Sequence, residues 1–203
     1  MIAVAITGAS GPILGIRLIE ELLSQDEEVC AVVSNAAWQI IGHELSYGKE
    51  SASPLSKLIS ERGKTANTSL LKEFGDNDFF SPLASGSTLF EAVAVVPCSM
   101  KTLSGIAHGY ADSLITRACD VAIKEKRKLI VVPRETPLSL IHIENMHKLA
   151  LAGAIILPPV MSFYTLPKST DDMVDFITGK ILNLLGKKNR LFESWGNQPG
   201  SQK

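Results

Sequence analysis

Residues 2–23, IAVAITGASGPILGIRLIEELL, decide the fold. Ile2 to Thr7 form a short apolar run with no room for a helical period, and Ile13 to Leu23 form a longer amphipathic one, so the stretch reads as strand, tight loop and helix. Gly8 and Gly11 permit a sharp turn and close ligand approach, Pro12 suits the first helical position, and Ser10 can cap the helix or touch a ligand. Backbone N–H groups and the positive end of the helix dipole meet at such a loop and favour an anion. The alternative is a plain strand-to-helix turn, which α/β proteins use often.

Two features narrow the ligand. The glycines do not follow G-x-G-x-x-G, and the second strand ends Val33–Ser34–Asn35, without the acidic residue that holds the ribose of a nicotinamide dinucleotide. A mononucleotide fits this pattern better than a dinucleotide.

Outward from the first loop the same rhythm continues. Val29–Val33 reads as a strand and Ala36–His43 as a helix. After a gap come a strand at Ala92–Val96, helices at Lys101–His108 and Leu114–Lys126, a strand at Leu129–Val132, a helix at Ile143–Ala152, a strand at Ala154–Leu157 and a helix at Asp171–Leu185. Continuous apolar strands alternating with helices predict a Rossmann-like three-layer α/β/α fold around a mostly parallel sheet, covered on both faces. Between Tyr47 and Thr88 the chain is richer in Ser, Gly, Asn and Lys, an elaborated crossover with a short helix at Pro54–Glu61 and a turn at Gly75–Asp78. The 203 residues fit one domain spanning 1–203, with a polar C-terminal tail from about 187 to 203.

Composition excludes several partners. A net charge of -1 offers nothing to nucleic acid or an anionic membrane, and no apolar run reaches the roughly 18 residues of a membrane span. Cys30, Cys98 and Cys119 are odd in number, widely spaced and without C-x-x-C pairing, so neither disulfides nor a zinc knuckle is expected, and a reducing, cytoplasmic compartment fits. The chain opens on a strand with no basic stretch before it, unlike a secretory signal.

Further candidates cluster late in the chain. Pro97–Thr102 follows a strand and opens a helix, supplying hydroxyls, the Lys101 cation and free N–H groups that should face the same crevice as the glycine loop. Cys98 has no evident partner base and is expected to be a buried thiol. Arg117 and Lys124, seven residues apart, project from one helix face and could hold a phosphate together; ion pairs with Asp120 or Glu125 on a solvated face are the alternative. Arg134 and Glu135 sit just past a buried strand, where a carboxyl among cations could hold or deliver a proton. His142, Glu144 and His147 miss the i, i+4 spacing of a zinc helix, so no metal site is expected. Phe163, Tyr164 and Pro167 could line a pocket or fill a core, and Lys180 lies on the last helix.

Taken together, TGASGPILGIRL, VVSNAA with Glu44 ten residues after Ser34, ASGS at 84–87, PCSMKTLSGIAHGYADSLITRACDVAIKEKRKLIVVPRETPL and PPVMSFYTLP resemble the UbiX-type flavin prenyltransferases, in order and along nearly the whole chain. The resemblance implies transfer of a dimethylallyl group from its phosphate to N5 and then C6 of reduced flavin mononucleotide (FMN). It also implies a UbiD-type decarboxylase as recipient of the product, with ubiquinone biosynthesis among the pathways supplied, and a homo-oligomer, typically a dodecamer, whose sites neighbouring subunits complete. Position by position it implies flavin contacts at Gly8, Ala9, Ser10, Ser34, Ser99, Met100, Lys101, Thr102 and Arg134, and prenyl-phosphate contacts at Lys124, Arg134, Tyr164 and Lys180, supported by Arg117. Glu135 would assist phosphate departure, while Glu44 and Ser10 would pass a proton during the second bond formation. No metal is implied. Pro12, Leu14, Phe79 and Lys180 depart from residues familiar in relatives; a lysine at 180 keeps the charge of an arginine and loses its bidentate fork. A flavin-dependent cysteine decarboxylase, for which His43 would be the candidate base, and a non-catalytic flavin carrier are the competing readings.

Overall fold

The computed structural model describes residues 1–47, 54–63 and 66–195. Parts of the expected crossover and the end of the polar tail, 196–203, lie outside the described residues. Six strands form one parallel sheet: β1 (Ile2–Ile6), β2 (Val29–Val33), β3 (Leu71–Phe74), β4 (Ala92–Cys98), β5 (Lys128–Pro133) and β6 (Ile155–Ile156). Their order is β3-β2-β1-β4-β5-β6. The helices are α1 (Ile13–Ser24), α2 (Asn35–Glu44), α3 (Pro54–Glu61), α4 (Met100–Ala107), α5 (Leu114–Lys124), α6 (Leu140–Leu151) and α7 (Thr170–Leu185).

Every residue of β1, β2 and β4 is buried, as strands covered on both faces require. Alternation divides them between two cores. Ile2, Val4 and Ile6 pack with the apolar faces of α1, α3 and α7, while Ala3 and Ala5 meet Leu103, Ile106, Leu114 and Cys119 of α4 and α5. In β1 the small alanines therefore all face one way. Gly15 allows α1 to press on the sheet, since a Cβ there would collide with the Val96 carbonyl and the Ile6 side chain. Arg17, buried on α1, ion-pairs with Glu21 and with Asp175 of α7 at 2.7 Å, fixing the two helices to one another.

The chain runs outward from β1 to β3, then returns to start again at β4. The strand order thus reverses between β1 and β4, and the crevice beyond their carboxyl ends is where open α/β sheets place ligands.

Some boundaries differ from expectation. β3 was not foreseen: Leu71–Phe74 is a partly exposed edge strand with Lys72 in it, so it lacks the apolar continuity of the others. α6 starts three residues early because Ser139 and His142 form a reciprocal cap, and α5 stops at Lys124 because Lys126 adopts φ 56°. β6 is only Ile155–Ile156.

Candidate functional site

The crevice is assembled from the loops that follow β1, β2, β4 and β5. Thr7, 1% exposed, joins two of them: its Oγ1 donates to the Pro97 carbonyl at 2.8 Å and accepts from the Ser99 N–H at 2.8 Å. One hydroxyl thereby clasps the glycine loop to the Pro97–Thr102 loop across the reversal point. Ser34 caps α2 by accepting from the Ala37 N–H at 3.1 Å, while its own N–H donates to the Ile6 carbonyl at 3.0 Å. Ser99 caps α4, its Oγ 3.3 Å from the Thr102 N and 3.1 Å from the Thr102 Oγ1. The Arg134 N–H donates to the Cys98 carbonyl at 3.1 Å, which sets Arg134 and Glu135 beside that loop.

These anchors enclose a cavity of about 1080 Å³. Gly8, Ala9, Ser10, Ser34, Ser99, Met100, Lys101, Thr102, Arg134 and Glu135 all line it. Ten residues named from the sequence are thus brought to one place. Glu44 is not among the lining residues, but its Oε2 accepts from the Gly11 N–H at 3.0 Å, one residue beyond Ser10, which is. Gly11 has φ 89°, which presents that N–H to α2. The anion at the glycine loop is therefore, at this N–H, the chain's own carboxylate.

The far wall was not legible beforehand. Asp76, from the turn after β3, accepts from the Ile115 N–H at 3.1 Å through its carboxylate and from the Leu114 N–H at 2.7 Å through its carbonyl, holding the start of α5 against the crevice. Burial raises its carboxyl above the usual carboxylate range, against the lowering effect of the Ile115 and Ser113 bonds. His108, Tyr110 and Asp112 form the rim beside it. Lys101 and Arg134 are the cations of the cavity; Asp76, Asp112 and Glu135 are its carboxylates. Glu135 Oε1 accepts from the Thr136 N–H at 3.0 Å.

Four expected prenyl-phosphate residues stand apart from this cavity. Arg117 donates through Nε to the Ala84 carbonyl at 3.0 Å and pairs with Asp120 at 2.8 Å, and Lys124 pairs with Glu125 at 2.8 Å. The Lys124 hydrogen bond and charge hold the Glu125 carboxyl below its ordinary value. Both cations do share one face of α5, and that face meets the segment 84–88, which Arg127 fixes by donating to the Gly86 and Thr88 carbonyls at 2.7 Å each. Tyr164 packs edge-on against Trp195 and against Phe176 of α7, with ring centroids 5.0 and 6.0 Å apart. Lys180, exposed, is one turn further along α7. In one chain Arg134 alone of the expected prenyl-phosphate residues lines the cavity; Arg117 and Lys124 lie on α5, and Tyr164 and Lys180 beside or on α7.

Other candidates are placed plainly. His43 is exposed on α2 and is not among the cavity's lining residues. His142 serves as the α6 cap, accepting from the Ser139 N–H at 3.3 Å. Among the described residues, no three His, Cys, Asp or Glu side chains are grouped to hold a metal. Cys98 is fully buried and burial pushes its thiol well up, as expected of a packing residue.

The donor set fits a flavin mononucleotide: serine hydroxyls, helix starts and two cations around a space at the upper end of the roughly 300–1,000 Å³ of small-molecule sites. Comparison with known proteins agrees. The family model described as Flavoprotein matches residues 1–182. Flavin prenyltransferase UbiX of Methanocaldococcus jannaschii is 48% identical over 195 residues, which is 96% of this chain and 98% of that protein. AnUbiX (PadA1), solved in complex with FMN and dimethylallyl pyrophosphate, superposes with a TM-score of 0.85 at 38% identity over 98% of each chain. The dodecameric FMN-dependent UbiX-like decarboxylase from Escherichia coli O157:H7 superposes with a TM-score of 0.81 at 37% identity, covering 93% of this chain and 96% of that one.

Proposed function

The chain belongs to the UbiX flavin prenyltransferases, and from that premise we propose how its crevice carries out the family's reaction. It transfers a dimethylallyl group from dimethylallyl phosphate to N5 and C6 of reduced FMN. The observation that carries the reading is the convergence of Gly8–Ser10, Ser34, Ser99–Thr102, Arg134 and Glu135 on one cavity where the strand order reverses.

The flavin supplies the electron-rich N5 and C6 that take up the allyl group. The remaining work falls to the chain. Ser34, Ser99 and Thr102, fixed by their capping bonds, hold the flavin's polar edge in a preorganised frame. Arg134 neutralises the departing phosphate and Glu135 gives it a proton. As the ring closes, the C6–H bond and the prenyl C=C π bond give way to the C6–carbon bond and a new C–H bond, and Ser10 and Glu44 would pass the proton released at C6 to the alkene carbon that takes one; the Gly11 N–H holds Glu44 Oε2 at the loop next to Ser10.

The phosphate also needs more cations than Lys101 and Arg134. Arg117 with Lys124, and Tyr164 with Lys180, reach a crevice from neighbouring subunits of a homo-oligomer, a dodecamer like the E. coli relative. Supporting this are the exposed apolar side chains of α6 and the segment that follows β6: Leu140, Ile141, Leu151, Val160, Phe163 and Leu166. The product goes to a UbiD-type decarboxylase, and the protein works in the cytoplasm; no helix among the described residues is long and apolar enough to cross a membrane.

The test is anaerobic. Purified protein is mixed with reduced FMN and dimethylallyl phosphate, and the flavin is analysed by mass spectrometry. A flavin enlarged by one five-carbon unit is expected. Flavin that binds and leaves unchanged would sink the prenyltransferase reading and leave a carrier.

A further inference from the structure

The run Lys124–Lys128, KEKRK, is five consecutive charges. Arg127 alone of the five is half-buried; the other four are exposed. Its place is set by the end of α5. Lys126 takes φ 56°, which turns the chain back, and the Arg127 N–H donates to the Ala122 carbonyl at 2.8 Å, closing the last turn of the helix. Arg127 is thereby built into the same rigid unit that carries Arg117 and Lys124.

The guanidinium is committed to backbone and ring. Nη1 donates to the Thr88 carbonyl and Nη2 to the Gly86 carbonyl, each at 2.7 Å, and the plane lies over the buried ring of Phe90, with Cζ 4.2 Å from its centroid. Two charge-assisted bonds from one fork, backed by a buried ring, fix the turn 85–88 in both distance and orientation. That turn sits between the two α5 cations expected to hold phosphate. Arg117 Nε donates to the Ala84 carbonyl at 3.0 Å, at the head of the segment. At Gly86 a Cβ would stand 3.0 Å from Lys124 Nζ and would overlap Glu125 Oε1, so the Lys124–Glu125 ion pair lies against bare backbone. Left free, the carbonyls of Ala84, Gly86 and Thr88 would repel a phosphate; the two arginines take all three.

We propose that Arg127 is a positioning residue of the prenyl-phosphate site: it holds the turn 85–88 against α5, so that Lys124 and Arg117 keep one arrangement when the donor's phosphate arrives. The inference rests on the reading of Arg117 and Lys124 as phosphate cations. Arg127 acts through the turn and not as a phosphate contact, since both of its terminal nitrogens are turned to carbonyls of its own chain.

The test measures donor and flavin separately on the full chain. With oxidised FMN, whose N5 is not a nucleophile, dimethylallyl phosphate binds without reacting, and calorimetry gives its affinity. Arg127→Lys keeps the charge and loses the fork and the flat face. It should weaken dimethylallyl phosphate by about ten-fold, leave FMN within about two-fold and sediment at the parent's size. With reduced FMN the loss should appear in KM, with kcat within about three-fold. Gly86→Ala approaches the same contact from the turn, pushing the Lys124–Glu125 pair away, and should reproduce the pattern. In a Lys124→Ala background Arg127→Lys should add no more than about three-fold, because a cation it positions is gone. Unchanged donor affinity in either variant, equal losses of donor and flavin, a loss confined to kcat, altered assembly, or full additivity with Lys124→Ala would each overturn the role given to Arg127. A parent that binds FMN and not the donor would instead bring down the phosphate reading, and this proposal with it.

Discussion

Replacing Thr7 with valine keeps the side chain's shape and removes the hydroxyl that joins two loops. That hydroxyl makes two bonds of 2.8 Å, one to the buried Pro97 carbonyl and one from the Ser99 N–H. The carbonyl keeps a second donor, the Thr7 N–H at 3.2 Å, so its loss is one net bond of about 1 kcal/mol. The Ser99 N–H is left without that acceptor at a partly buried position, costing about 1–3 kcal/mol. Together the change should destabilise the chain by about 2–4 kcal/mol, or about 5–15 °C in Tm for a protein of this size. Denaturant melts at one fixed protein concentration measure the first part, because assembly would otherwise shift the midpoint. Flavin titration measures the second: Ser99 opens α4, so a loosened Ser99–Thr102 loop should bind FMN more weakly. Thr7→Ser restores both bonds and should recover most of the stability and all of the flavin affinity. The reasoning fails if valine changes stability by less than about 0.5 kcal/mol, the ordinary scatter of neutral surface changes, or if serine is as damaging as valine.

Three further outcomes are expected. Glu135→Gln keeps its size and its bond from the Thr136 N–H but cannot donate a proton to phosphate; FMN affinity should hold while turnover falls by about 10²-fold or more, and unchanged turnover would remove Glu135 from the mechanism. Gly15→Ala forces a methyl into the Val96 carbonyl and Ile6, so a loss of about 1–3 kcal/mol should appear in denaturant melts; a neutral result would mean that α1 can lift from the sheet freely. Cys30, Cys98 and Cys119 are buried, and burial raises all three thiols, so both access and thiolate formation are disfavoured. A disulfide exchange reagent at pH 8 should leave the native protein untouched and label all three after denaturation; rapid native labelling would refute the burial argument.

What the sequence showed and hid has a physical pattern. Strands buried on both faces were legible because they are uninterrupted apolar runs, as in Val29–Val33 and Ala92–Val96, the latter running on to Cys98 in the structure. The edge strand Leu71–Phe74 was hidden because an edge needs only one apolar side and is protected by charge at Lys72. In the site's near wall the glycine loop, Pro97–Thr102 and Arg134–Glu135 were legible because they sit at strand ends, a rule that needs no tertiary information, while a flavin role for Ser34 came only with the family resemblance. Thr7 escaped notice: its hydroxyl acts on a partner ninety residues away, and nothing local distinguishes it from an ordinary strand-ending threonine. Asp76 escaped for a related reason, since it holds α5 from a turn after an unrecognised strand. For Arg117 and Lys124, helical spacing correctly predicted a shared face, yet spacing cannot say what the face meets, which is the backbone of segment 84–88.

The bond from Gly11 to Glu44 has a consequence for a catalyst whose own by-product is free phosphate. A bare glycine loop at a helix start would collect whatever small oxyanion is most abundant. Here the N–H is occupied from within by a tethered carboxylate, with which a dissolved ion must compete. While Glu44 is seated there, that N–H is not offered to spent phosphate.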